Sequence, residues 1–143
     1  MRTRAKNKKS GFTLVELMIV AAIIAILAAI VIPLLGSNRD RAVATEGQNL
    51  LGTAATAMKA YYAEHGGFPA DFTSTTVGTV TAGELGRGKY FTAPTITTAN
   101  SLDDWTLQTT LRADTGQFTA GATLTLNQAG TWGGAVATAL NLN

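Results

Sequence analysis

Between Leu17 and Asn38 the chain carries no charged residue, and the 19 positions from Leu17 to Leu35 are Leu, Met, Ile, Val and Ala with one proline, Pro33. As a helix this run is about 28 Å long, close to the ~30 Å hydrocarbon core of a bilayer. A secretory signal has a shorter apolar region, about 7–15 residues, followed by a small-residue cleavage site. Here the run is longer and no such polar region succeeds it, so it is read as a retained span. Arg2, Arg4, Lys6, Lys8 and Lys9 precede it, whereas Arg39, Asp40 and Arg41 after it leave a single net positive charge. That asymmetry keeps the N-terminus cytoplasmic and exports the bulk of the chain. Any globular fold must therefore be built from the residues beyond Leu35.

Glu16 stands at the front of this run. An unpaired carboxylate near the hydrocarbon costs a few kcal/mol, less at the end of a span than at its centre. One account is positional: an interfacial Glu16 in a first helical turn is favoured by the helix dipole. The other requires a positive partner.

The stretch SGFTLVELMIVAAIIAILAAIVIPLL, Ser10 to Leu35, resembles the class III signal of type IV pilins and of type II secretion pseudopilins. The resemblance implies that a dedicated prepilin peptidase cuts between Gly11 and Phe12 and that Phe12 is then N-methylated. It also implies that Glu16 neutralises the Phe12 amine of a neighbouring subunit, and that Phe12, Glu16 and Pro33 serve filament assembly. An i,i+4 contact within one chain remains open beside that role. Many relatives have glycine where this chain has Ala25, and that region melts on assembly. Alanine is the better helix former by about 1 kcal/mol. Ala21, Ala25 and Ala29 form a small-residue stripe that would allow helices to approach closely, although alanine is common in any span.

The 143 residues carry a net charge of +2 and a pI near 9.2, but the basicity is local. From residue 12 onward six bases face nine acids, leaving −3. A nucleic-acid argument from the whole-chain pI would rest on the leader alone. There is no cysteine, which excludes disulfides and thiolate chemistry.

After Gly36-Ser37-Asn38 the pattern is amphipathic: Val43, Leu50, Leu51, Ala54, Met58 and Tyr61 recur at 3–4 spacing until Gly66-Gly67. One long helix is expected from about Phe12 to Glu64, bent at Pro33. Residues 66–104 read as a connecting loop with a short strand near Val77–Val80. From Trp105 the period becomes two. Trp105, Leu107, Thr109 and Leu111 share one face, then Phe118, Ala120, Ala122, Leu124 and Leu126; Trp132, Val136 and Leu140 mark a third strand with a bulge at Gly133-Gly134. The expected fold is α+β: a long N-terminal helix on a small three-stranded antiparallel β-meander. Its divisions are 1–11, a cleaved leader; 12–35, a membrane-spanning and filament-core helix; and 36–143, a globular head. Within the head, residues 38–64 form the amphipathic helix, 66–104 the loop and 105–140 the sheet.

Catalytic chemistry has little to stand on. His65 is the sole histidine and no serine has an activating context. Gly86-Arg87-Gly88-Lys89 lacks phosphate-loop spacing. Asp103 and Asp104 are two acids where calcium needs six to eight oxygens. No cofactor and no metal are expected. Arg87 and Lys89, flanked by Tyr90 and Phe91, are the best candidates for phosphate pairing and base stacking, yet two bases predict weak DNA binding. The reading is a structural subunit that polymerises through its N-terminal helix into a surface filament. Alternatives are a pseudopilin of secretion or DNA uptake, or a DNA- or surface-binding module. The partners implied are further copies of the chain, a prepilin peptidase and methylase, the inner membrane and its assembly machinery.

Overall fold

The computed structural model describes residues 11–72, 80 and 82–142. Except for Val80, the expected strand near Val77–Val80 lies outside the described residues. Helix α1 spans Leu14–His65 and contains Pro33. Contacts divide the chain into two compact units, Met1–Gly36 and Ser37–Asn143.

In the first unit the apolar side chains of α1 are exposed, with Leu14 at 75% and Ile26 at 65%. Its hydrogen-bonded backbone and apolar surface make this stretch long and apolar enough to cross a membrane. Pro33 has no N–H, so the carbonyl of Ala29 lacks its usual helical donor.

Among the described residues, all the buried core residues lie in the second unit. Val43, Ala44, Leu51, Ala54, Ala55 and Met58 form the inward stripe of α1, and the hydroxyls of Thr45, Thr53 and Thr56 donate to carbonyls one turn back. Gly47 belongs to this stripe. A Cβ there would lie 2.9 Å from Leu124 Cδ2 and 3.0 Å from the Phe91 ring, so glycine sets how closely helix and sheet approach. The helix stops at Gly66, whose φ is +70° and whose N–H donates to the Tyr62 carbonyl at 2.8 Å. The His65 ring stacks on Tyr61 with centroids 4.1 Å apart, and Nδ1 donates to the Tyr61 carbonyl.

The sheet is a four-stranded antiparallel meander in the order β1-β2-β3-β4: Thr95–Ser101, Asp104–Thr110, Thr123–Asn127 and Trp132–Gly133. A short helix α2, Ala82–Leu85, precedes it and α3, Gly134–Leu140, comes after it. The α+β class is as expected, with two corrections to the sheet. Residues 66–104 are not merely a loop, because Thr95–Ser101 pairs with β2, Ile96 opposite Leu107 and Ala99 opposite Trp105. The last strand is only Trp132–Gly133, and Val136 and Leu140 lie on α3. The 132/136/140 spacing of four falls on one face of a helix and of a strand alike, so it does not separate the two. Gly134 at φ +86° makes the change of direction, and α3 ends on Asn141 in the left-handed region.

The inward set of β2 is buried as expected at Trp105, Leu107 and Thr109, followed by Leu111. Leu124 and Leu126 of β3 face the same core, but Ala120 is exposed. The chain does not run straight from Phe118 into β3. Thr115 and Phe118 exchange both backbone hydrogen bonds at 2.9 Å around Gly116-Gln117, a tight turn with Gly116 at φ +56°. The buried Asp40 carboxylate occupies the space a side chain at 116 would need. Gly116→Ala therefore combines a left-handed φ with a clash, and is expected to cost the head about 3 kcal/mol. Denaturant unfolding checks this; a variant within about 0.5 kcal/mol of the parent would show that the turn relaxes freely.

Candidate functional site: the start of the apolar helix

Phe12 and Glu16 are brought together at the head of α1, lining with Leu17 and Val20 an open depression of about 270 Å³. Its geometry is built by Thr13, which the sequence reading missed. The Thr13 N–H and hydroxyl both donate to Glu16 Oε2, at 2.9 and 2.8 Å, and the Glu16 N–H donates to Thr13 Oγ1 at 3.2 Å. This is a reciprocal capping box, satisfying otherwise orphaned donors of the first turn. The signal was present in the sequence: Thr13-Leu14-Val15-Glu16 is the T-x-x-E pattern before an apolar run.

Glu16 thus has donors within its own chain before any amine is considered. Its role in the first turn is built in local hydrogen bonds, beyond the general dipole argument. A carboxylate has about four acceptor positions, so two bonds on Oε2 leave capacity for a cation. Gly11 precedes the helix in an exposed segment, with open space around its Cα. Pro33 is in the interior of α1, well along the helix from this turn.

The other candidates are used structurally. Asp104 Oδ2 accepts from Asn100 Nδ2 at 2.6 Å, and the Asp103 backbone N–H donates to Ser101 Oγ, so the Asp104 carboxylate and the Asp103 peptide group shape the β1–β2 turn. Phe91 is fully buried and is not available to stack a base, contrary to its sequence reading. Tyr90 is half-buried, with Lys89 Nζ 4.9 Å from its ring centre. Two further residues hold this segment. Glu46 Oε1 accepts from the N–H groups of Tyr90 and Phe91 at 2.7 and 3.2 Å, while Arg112 donates to the carbonyls of Phe91 and Gly86 at 2.7 and 3.0 Å. No sequence pattern links residues 44 and 45 positions apart, so this clamp was not legible beforehand.

Residues 6–32 match the prokaryotic N-terminal methylation motif. The chain is 47% identical over 66 residues to the fimbrial protein EcpC of Eikenella corrodens, a match covering 46% of this chain and 43% of the relative. It is 42% identical over 82 residues to a fimbrial protein of Neisseria meningitidis, covering 57% and 46%. It is also 36% identical over 64 residues to the type II secretion system core protein G of Pseudomonas aeruginosa, covering 45% of each. The matches therefore span less than half the length of these relatives. None of these names denotes an enzyme. In keeping with the resemblance read from Ser10–Leu35, the chain is similar to type IV pilins and to a type II secretion core protein.

Proposed function

We propose that this relative of the type IV pilins is a structural subunit, anchored in the inner membrane by α1 and then polymerised through the same helix into a surface filament. The observation that carries the reading is a capped, acid-headed start to an apolar helix directly after Gly11-Phe12. An exposed apolar surface of this length must be covered, first by lipid and then by other copies of itself. Residues 1–11 are the leader, removed between Gly11 and Phe12 by a prepilin peptidase, and Phe12 is methylated on its new amine. Glu16 then pairs with the Phe12 amine of a neighbouring copy. Pro33 contributes a carbonyl without its helical donor, at Ala29, where the helix can yield during assembly.

Electron microscopy of sheared surface material followed by mass spectrometry tests the reading. The expected result is filaments of a chain that begins at methyl-Phe12. A mature chain beginning after Leu35 would overturn both the processing site and the filament. A second reading, a secretion pseudopilin, is favoured by the similarity to core protein G. Fibre length separates the two, since secretion pseudopili are normally short.

A further inference from the structure

The Gly86–Phe91 loop is held on two sides. On its inner side Glu46 Oε1 binds the N–H groups of Tyr90 and Phe91, and on another Arg112 binds the carbonyls of Gly86 and Phe91. Gly88 faces α1: a Cβ there would lie 2.9 Å from both Glu46 Oε1 and Leu50 Cδ1. With residue 88 turned inward, its neighbours Arg87 and Lys89 are both exposed. Neither makes an ion pair among the described residues, whereas Glu46 of α1, on the inner side of the loop, is engaged by peptide N–H groups. The Arg112 guanidinium spends Nε and Nη2 on carbonyls and retains its other N–H donors.

We propose that this loop is a binding site for one phosphate group, carried by a lipid headgroup or free in solution. Arg87 offers a planar fork suited to two oxyanion oxygens, Lys89 a point charge, and Arg112 a third donor fixed by the backbone it grips. Because the loop is tied at four backbone groups, less ordering entropy is lost on binding than at a mobile loop. The aromatic residues argue against base readout, since Phe91 is inaccessible and Lys89 covers Tyr90. Two cations on the loop and Arg112 bonded to its backbone match one compact anion rather than the long phosphate track of a duplex. The site does not depend on filament formation and stands or falls apart from it.

The test uses the isolated head, residues 37–143. Among the described residues this unit contains all the buried core residues and is compact by itself. Amide resonances are followed during titration with inorganic phosphate, with chloride at matched ionic strength as the control. In parallel, co-sedimentation is measured with phosphatidylcholine vesicles with and without phosphatidylglycerol. Saturable shifts at Arg87, Lys89 and Arg112 with phosphate, or sedimentation that requires phosphatidylglycerol, are expected. Arg87→Ala/Lys89→Ala should weaken either roughly tenfold or more, without changing the unfolding midpoint. Arg112→Lys, which keeps charge but loses the fork, should weaken binding less. The first arm assigns free phosphate and the second a headgroup. Absence of binding in both arms, or binding that survives the double variant, overturns the proposal. Duplex DNA binding tighter than either and lost in that variant would overturn it in favour of nucleic acid.

Discussion

Glu16→Gln is expected to insert, to be cleaved and to keep its helix, yet to yield roughly tenfold fewer filaments or less. The estimate takes the loss of one charged hydrogen bond to an amine as about 1.5 kcal/mol or more. The substitution is informative because glutamine also serves at the third position of a capping box. It should still receive the Thr13 N–H and hydroxyl bonds that Glu16 Oε2 now accepts, so only the charge is lost. Thr13→Ala is the complementary change. It removes the cap, at about 1 kcal/mol of helix stability, and leaves the carboxylate. Filament yield in Thr13→Ala should stay near that of the parent. If the two variants lose filaments equally, Glu16 acts through the cap and not through the Phe12 amine. Normal yield from Glu16→Gln would show that the carboxylate is merely interfacial.

The largest stability losses are expected in the head. Trp105→Ala and Leu124→Ala should each cost about 2–5 kcal/mol, because both side chains are almost wholly buried between sheet and helix and leave cavities. Leu124 also touches the place where Gly47 lets α1 come close, so nothing larger than glycine is there to collapse into the void. Thr123 is the neighbour on the other face, half-buried and opposite Thr110. Thr123→Ala should change stability by less than about 0.5 kcal/mol. Urea unfolding of residues 37–143 measures all three. Equal costs at positions 123 and 124 would mean that β3 pairs with β2 one residue out of register, since such a slip exchanges its faces.

The apolar run, its capped start at Thr13–Glu16, the glycine stop at Gly66 and the inward faces of β2 and β3 were all determined by local sequence. Each is a pattern within a few residues, where one turn or one pleat repeats a single physical requirement. The cap at Thr13 is legible as the T-x-x-E pattern that ends in Glu16. Strand β1 was not legible as a strand from hydrophobic alternation, because Thr95–Ser101 is an edge strand with no face fully buried. Its threonines and isoleucine were the available hint. Likewise Trp132, Val136 and Leu140 are compatible with a helix or a bulged strand until Gly134 turns the chain. The approach of α1 to Leu124 through Gly47, the burial of Phe91 and the clamp of Glu46 and Arg112 on the Gly86–Phe91 loop were decided by tertiary structure alone. Their partners are far apart in sequence, so the hydrogen bonds and contacts that select them exist only once the sheet has packed on the helix.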